Sequence, residues 1–468
     1  MQKALSHSQP IGVASGATAP PHAARTDRFP LAQRARALSR DDIRLFRVAA
    51  AVIAIAVADD AFVHPEPGTS ASDHLASGLV PIAIALLAML AYPRLRAGVR
   101  GCIALVFGAL ALEAGIVDAV RHIMVNSISG DDITGILAVL AGSGLLVLGA
   151  ATLWHTRRLD ERLSRRYLRR ALETAIAIVV AVLVIVPIGM AVLATHVARA
   201  PVPAANLGAD YRSVSFTTSD GLKLAGWYVP SRNGAAVIVS PGRSPSVQEH
   251  ARMLSRHGYG VLVFDRRGEG QSQGDRNLYG WSGDKDLLAA VRYLRRQPDV
   301  RQGRIGGLGL SVGGEMLLQT AAETRGLKAV VSEGAGRRSL REHLHIPGLG
   351  AVQKWLTPWV VQTGALMVMS NTAPPPDLAD VVSHISPRPV LLIRALHGLD
   401  DESLNRVYYA HAEQPAALWE VPQGGHTGAL AALPQQYEAR VVGFFDRALR
   451  AADQRHPPGL RTHETEMP

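Results

Sequence analysis

The sequence has little of the residue chemistry on which many small or metal-dependent proteins rely. It contains one cysteine, Cys102, so a disulfide within the chain, a CxxC motif and a thiolate metal site are all excluded. Aromatic residues make up only 5%, which argues against stacking platforms for single-stranded nucleic acid. Charged residues are also scarce at 19%, and the mean hydropathy of +0.11 is high for a soluble chain. The composition therefore indicates membrane-spanning segments.

The chain is nevertheless basic, with a net charge of +10 and a pI of about 10.0. A basic chain can bind nucleic acid, but here the arginines cluster beside apolar runs, which favours a role in membrane topology. We therefore expect the lipid bilayer, and not nucleic acid, as a partner. The sequence makes no prediction of oligomeric state.

Five apolar stretches lie in residues 43–200 and predict an all-α transmembrane region of about five spans. The first is marginal because Asp59 and Asp60 interrupt it. The stretches are Val48–Val63, Leu79–Tyr92, Cys102–Val120, Ile133–Trp154 and Ala171–Val197.

Charge alternates along the connections between these stretches. Arginine-rich segments precede the first, third and fifth stretches, whereas the other connections carry aspartate and glutamate. Because positively charged loops stay in the cytoplasm, we expect a cytoplasmic N-terminus and an extracytoplasmic C-terminal part. This arrangement predicts an integral protein of the bacterial inner (cytoplasmic) membrane.

The remaining segments divide by composition. Residues 1–42 and 453–468 are expected to be disordered tails, and residues 201–210 a linker. In residues 211–452 short β-branched runs alternate with amphipathic helical patterns, which predicts a doubly wound, mostly parallel sheet covered on both faces. Ser213–Thr217 and Leu222–Val229 are expected to form a hairpin.

The segment Gly309-Leu-Ser311-Val-Gly313 matches the G-x-S-x-G turn that exposes a nucleophilic serine between a strand and a helix. An oxyanion formed on attack by Ser311 needs two backbone donors. The N–H of Val312 is one candidate. The second is expected in Pro241-Gly242-Arg243; proline has no N–H, so we favour Arg243.

A serine nucleophile needs a base and a carboxylate that orients the base. His426 follows the last predicted strand on a glycine-rich loop and is the expected base. For the orienting acid we favour Asp401, three residues after Gly398. Asp400 and Glu333 are the alternatives.

These motifs resemble the α/β-hydrolase superfamily, in particular its serine esterase, lipase and monoacylglycerol-lipase-like branch. Asp265-Arg-Arg267-Gly-Glu-Gly-Gln-Ser272 is similar to the D-x-R-G-x-G-x-S turn of that branch, where we expect Asp265 and Arg267 to tie loops together. The resemblance covers roughly residues 210–450. It has two departures: Ser240-Pro241-Gly242 replaces the usual His-Gly, and the acid loop carries a short insertion.

The resemblance implies a membrane-anchored serine hydrolase that cleaves an ester-type substrate, a small molecule or an acyl lipid, with no cofactor and no metal. Residues 337–380 are the expected cap, and its apolar stripe suggests a lid that faces the bilayer. Two alternatives remain: a non-catalytic membrane protein whose hydrolase-like domain binds a partner, and a serine peptidase or thioesterase that uses the same site.

Overall fold

The computed structural model describes residues 29–125, 130–155, 163–196, 206–243, 247–348, 350, 354 and 358–450. The chain divides into two compact units, Met1–Leu45 and Phe46–Pro468. In the first unit the described residues are helical from Phe29, within the segment for which the sequence predicts a tail up to residue 42. Residues 1–28 and 201–205, and the predicted C-terminal tail 453–468, lie outside the described residues.

In its described parts the N-terminal region consists of helices and the turns that join them, with no strand. Two helices contain π-helical turns: α1 continues through Asp59–Val63, and Ala181–Ile185 joins α5 to α6. The helices are α1 (Phe29–Ala58), α2 (Leu75–Ala91), α3 (Ala97–Val125), α4 (Gly130–His155), α5 (Leu163–Val180) and α6 (Val186–Thr195).

Four helical segments among the described residues are long and apolar enough to cross a membrane. They are Leu75–Arg94, Ala97–Ile116, Ile133–His155 and Tyr167–Thr195. The first predicted stretch, Val48–Val63, is not among them. The two aspartates that interrupt it lie in the π-helical turn, where Asp59 accepts hydrogen bonds from Thr134 (2.7 Å) and the His64 ring (3.0 Å).

Glycines bring α3 and α4 into backbone contact. Three glycine pairs, spaced by seven residues on both antiparallel helices, lie along this interface: Gly101 with Gly149, Gly108 with Gly142, and Gly115 with Gly135. A Cβ added to Gly108 would lie 2.8 Å from the carbonyl oxygen of Gly142, and one added to Gly142 would lie 2.9 Å from that of Gly108. Small residues permit this approach, which is how helices associate where lipid supplies no hydrophobic drive.

The C-terminal region is built on one eight-stranded sheet in the order β1-β2-β4-β3-β5-β6-β7-β8. β1 and β2 form the predicted hairpin, β2 pairs antiparallel with β4, and the remaining pairs are parallel. The strands are β1 (Arg212–Thr217), β2 (Lys223–Val229), β3 (Ala236–Ser240), β4 (Gly260–Phe264), β5 (Ile305–Leu310), β6 (Ala329–Glu333), β7 (Val390–Ala395) and β8 (Ala416–Val421).

Helices cover both faces of the sheet, as the alternating pattern predicts. Alternate residues of one strand serve two cores: Ile238 of β3 packs in one apolar cluster, and Val237 and Val239 pack in the other. The helices are α7 (Gln248–Arg256), α8 (Gly283–Arg295), α9 (Val312–Glu323), α10 (Leu340–Leu344), α11 (Trp359–Ser370), α12 (Leu378–Val381), α13 (Leu404–His411), α14 (Ala429–Ala432) and α15 (Pro434–Phe445).

The predicted cap contains α10 and α11 and lies between β6 and β7. Of its expected apolar stripe, Trp355 and Leu356 lie outside the described residues, whereas Trp359 and Leu366 are buried. The helix α11, called the cap helix below, packs against α6 and α2. Leu366 joins Ala191, Ala194 and Trp281 in one apolar cluster. The backbone N–H of Leu278 also donates to the Ala194 carbonyl (3.0 Å), so the helical and sheet regions are in direct contact.

Candidate active site

Ser311 stands at a sharp turn between β5 and α9. Its backbone has φ 52° and ψ −125°, a conformation that is costly for a residue with a side chain. The turn closes because Gly309 and Gly313 lie against each other, and a Cβ on Gly309 would collide with the backbone of Gly313. The Ser311 N–H donates to the Glu333 carbonyl (2.7 Å) and fixes the turn beside β6.

The structure brings His426 to this serine. His426 follows β8 on the loop before α14, and its Nε2 lies 2.9 Å from Ser311 Oγ. The ring is half-buried. Gly334, with φ +71°, lets the backbone after β6 pass close to the imidazole, since a Cβ there would lie 3.1 Å from His426 Cε1.

The carboxylate that holds the imidazole is Glu402. Its Oε1 lies 2.6 Å from His426 Nδ1, on the side of the ring opposite Ser311. The prediction that Asp401 occupies this position is therefore wrong by one residue. Ser311, His426 and Glu402 form one continuous hydrogen-bonded chain, in which the carboxylate selects the tautomer with its proton on Nδ1 and leaves Nε2 free to accept the serine proton.

Backbone donors prepare Glu402 for this role. Its carboxylate accepts the N–H of Leu399 (3.1 Å) on Oε1 and the N–H of Ala395 (3.0 Å) on Oε2, and the side chain is 1% exposed. Burial opposes ionisation, but the hydrogen bond from His426 and the two backbone donors outweigh it, so the pKa of Glu402 lies below its ordinary value. The group is therefore a carboxylate at neutral pH.

The three other carboxylates considered from the sequence have different partners. Asp401 Oδ2 accepts a hydrogen bond from the Arg337 guanidinium (2.8 Å), and the imidazole is hydrogen-bonded to Glu402. Asp400 is exposed in the short 3₁₀ turn Asp400–Ser403. Glu333 is buried and accepts the Ala429 N–H (3.0 Å) and the Tyr437 hydroxyl (2.7 Å). Glu333 thus holds the segment after His426 and does not contact its ring.

The sequence carried a signal for Glu402 that spacing alone did not resolve. Asp400, Asp401 and Glu402 are consecutive carboxylates, and the acid loop is one in which an insertion is expected. Gly398 is the discriminating residue. A Cβ there would collide with Glu402 Oε1, so this glycine makes room for the carboxylate four residues later, not three.

Two backbone N–H groups remain available beside Ser311. Neither the Val312 N–H nor the Arg243 N–H donates a hydrogen bond to any residue that the structure describes. Both belong to segments that border the serine: Val312 begins α9, and a Cβ on Gly242 would lie 2.9 Å from Ser311 Cβ. The arrangement is compatible with the predicted pair of oxyanion donors. The Arg243 guanidinium lies 4.7 Å above the Tyr279 ring.

Residues 201–425 match the family model described as X-Pro dipeptidyl-peptidase (S15 family). This match agrees with three features of the structure: the strand order, the strained turn at Ser311 and the histidine loop after the last strand. The C-terminal region has the α/β-hydrolase fold and is similar in sequence to the S15 family.

Two curated relatives are similar to this domain in sequence. The uncharacterized protein YfhR of Escherichia coli (strain K12) is 27% identical over 255 residues, which are 51% of this chain and 81% of that protein. The thiohydrolase aneE of Aspergillus aculeatus is 27% identical over 201 residues, 40% of this chain and 60% of that protein. Among solved structures, the Pyrococcus furiosus esterase Pf2001 is 21% identical with a TM-score of 0.42, covering 53% of this chain and 99% of that one.

The D-x-R-G turn of the hydrolase domain ties loops together, as expected. Arg267 donates to Asp286 (2.8 Å) at the start of α8 and to Asp220 (3.1 Å) at the β1–β2 hairpin. Asp265 accepts the backbone N–H of Gln271 (3.0 Å). These contacts are internal to the scaffold and do not include Ser311 or His426.

Proposed function

We propose that the protein is a membrane-anchored serine hydrolase that cleaves an acyl ester or thioester. Ser311 Oγ attacks the carbonyl carbon while His426 Nε2 takes its proton. Glu402 stabilises the imidazolium that results, and the N–H groups of Val312 and Arg243 receive the negative charge on the carbonyl oxygen. His426 then protonates the leaving group. In the second half of the reaction His426 takes a proton from water, which attacks the acyl carbon, and returns that proton to Ser311 Oγ as the acid is released.

The observation that carries this proposal is the hydrogen-bonded chain from Glu402 through His426 to Ser311, with contacts of 2.6 Å and 2.9 Å. Both distances lie in the range for proton transfer between positioned groups. The names of the thiohydrolase aneE and of the polyketide transferase grgF of Penicillium also favour acyl chemistry.

We further propose that the apolar helices anchor this domain with the N-terminus in the cytoplasm and the hydrolase domain outside, in a bacterial inner membrane. The arginines that precede the last apolar helix support this direction. Protease added to spheroplasts should digest the hydrolase domain. Protection of that domain in intact spheroplasts, with digestion only after lysis, would reverse the orientation.

The catalytic proposal is tested with a fluorophosphonate probe, which labels activated serines. Wild-type protein in detergent should be labelled, and Ser311→Ala should not. Ser213→Ala, on the exposed edge strand β1, is the matched control and should be labelled like wild type. Equal labelling of the Ser311→Ala variant would remove the assignment. Absence of labelling and of ester hydrolysis in the wild type would favour the non-catalytic, partner-binding alternative.

A second candidate function is a serine peptidase, because the matching family model is described by X-Pro dipeptidyl-peptidase activity. The two functions share the nucleophile and the base, so the leaving group distinguishes them. We expect p-nitrophenyl esters to be cleaved in preference to X-Pro p-nitroanilides. The opposite preference in kcat/KM would favour the peptidase.

A further inference from the structure

Two cavities meet beside Ser311. The larger, about 760 Å³, contains Ser311 and His426 in its wall. The smaller, about 480 Å³, lies between the hydrolase domain and the last apolar helix. Both walls include Arg243, Arg337 and Asp401, so the cavities adjoin at this polar junction.

The last apolar helix forms one wall of the smaller cavity. Val182, Val186 and Met190 line it, together with Pro187. The eight-residue interval from Val182 to Met190 corresponds to about 12 Å along a helix. These residues belong to Tyr167–Thr195, which contains the most apolar stretch of the four candidate spans. The cavity wall is therefore part of a segment whose natural surroundings are lipid.

The cap helix forms the opposite wall through Trp359 and Gln362. Its sequence, Trp359–Ser370, contains no charged residue, and its outer side exposes Val360 (62%) and Met367 (42%). This helix packs along α6, the last part of the segment Tyr167–Thr195. An uncharged helix with exposed apolar side chains is suited to the lipid phase and poorly suited to water.

The polarity of the two cavities differs from end to end. The membrane-side wall is aliphatic, whereas the junction carries the guanidinium groups of Arg243 and Arg337. Arg337 is paired with Asp401, but Arg243 makes no ion pair with any described residue and rests on Tyr279. A ligand that fits both ends has an apolar chain and a polar group next to it.

We propose that the active site receives its substrate from the bilayer through the smaller cavity, and that this substrate is an ester with a long acyl chain. The chain lies between the last span and the cap helix, and the ester carbonyl lies past the junction at Ser311. The inference rests on the proposed serine hydrolase function. It makes the membrane helix a part of the substrate site as well as an anchor.

The test narrows the cavity with Val186→Trp and, separately, Met190→Trp, in full-length protein reconstituted in phosphatidylcholine vesicles. Val184→Trp is the matched control, because Val184 is on the same helix, is 38% exposed and lines neither cavity. The readout is the ratio of kcat/KM for p-nitrophenyl palmitate to that for p-nitrophenyl butyrate. We expect this ratio to fall at least tenfold in the two cavity variants and to stay within twofold of wild type in the control.

Two results would overturn the inference while leaving the proposed function intact: an unchanged ratio in both cavity variants, or an equal fall in Val184→Trp. In either case butyrate hydrolysis by the wild type persists, so the catalytic serine is not in question. If the wild type hydrolyses neither ester and takes up no fluorophosphonate, the proposed function itself fails, and this inference fails with it.

Discussion

The α3–α4 helix pair and the loops around Ser311 are held together by opposite means. The helix pair depends on glycines that let the two backbones approach closely, so its packing is determined by steric fit. The loops around Ser311 depend on carboxylates that accept hydrogen bonds from specific donors. Buried Glu402 is bonded to His426, buried Glu333 to the segment after His426, and half-buried Asp401 to Arg337.

This difference predicts which substitutions each region tolerates. A substitution that removes a charge but keeps the side-chain shape should impair the loops around Ser311 and leave the helix pair unaffected. A substitution that adds apolar volume should destabilise the helix pair and have little effect on the loops. The proposed membrane anchoring accounts for this difference. Lipid gives no hydrophobic drive between helices, so steric fit decides their packing, whereas a buried charge in the hydrolase domain is costly without its hydrogen-bond donors.

The largest effect is expected for Glu402→Gln, which removes charge at constant shape. The neutral amide cannot stabilise the imidazolium and also disturbs the tautomer of His426. We therefore expect kcat for a short-chain ester to fall about 10³-fold or more, with little change in KM. Asp401→Asn, the matched change one residue earlier, should cost less than tenfold. A larger loss in Asp401→Asn than in Glu402→Gln would return the orienting role to Asp401.

A smaller effect, on stability, is expected for Gly142→Leu. The new side chain would meet the Gly108 carbonyl, since even a Cβ lies 2.9 Å from it, and should force α3 and α4 apart. We expect a loss of about 1–3 kcal/mol, seen as a lower thermal unfolding midpoint in detergent. Gly144→Leu is the control, because a Cβ at Gly144 has no atom within 4 Å. Equal midpoints in the two variants would contradict the steric account of this interface.

A third effect, at most of similar size, concerns the pH dependence of the stability of the cap. Glu342 is buried at the base of the cap and accepts the backbone N–H groups of Arg338 (2.7 Å) and Leu378. Burial raises the pKa of Glu342 to about 7, against 4.5 in an unfolded chain. The folded state holds this proton more tightly, so stability is lost as pH rises from about 4.5 to about 7, by on the order of 3 kcal/mol at most.

Glu342→Gln should therefore flatten the dependence of the unfolding midpoint on pH in this interval, because the amide has no proton to lose. Tryptophan fluorescence of the two proteins between pH 5 and pH 8 measures the difference. Parallel curves for wild type and variant would show that Glu342 does not carry the effect.

Much of the fold could be predicted from local pattern. The β1–β2 hairpin, the alternation of strands and helices, and the serine turn each depend on residues close together in the sequence. The strand β8 begins at Ala416, because its first residues pair with β7 despite their weak β pattern. The glycines at seven-residue intervals on α3 and α4 were also visible in the sequence, and their spacing would have predicted a close helix pair.

The orienting acid could not be chosen in the same way. The side chains of Asp401 and Glu402 leave a short 3₁₀ turn in different directions, and what distinguishes them is the partner that each meets. Arg337 is 64 residues before Asp401, and His426 is 24 residues after Glu402. Neither contact can be inferred from the residues near positions 401 and 402 in the sequence. The cavity at the last apolar helix is a similar case, since it exists only where α6 and the cap helix pack together.

The apolar cluster of Ala191, Ala194, Trp281 and Leu366 has a practical consequence for handling this protein. In a fragment that begins after α6, Trp281 and Leu366 would be exposed to solvent. The cap helix would also lose its contacts with α6. Such a fragment would tend to self-associate and would lack one wall of its binding cavity. If such a fragment failed to hydrolyse long-chain esters in buffer, the loss of this cavity wall would account for the result. The experiment would therefore not test whether Ser311 is the nucleophile.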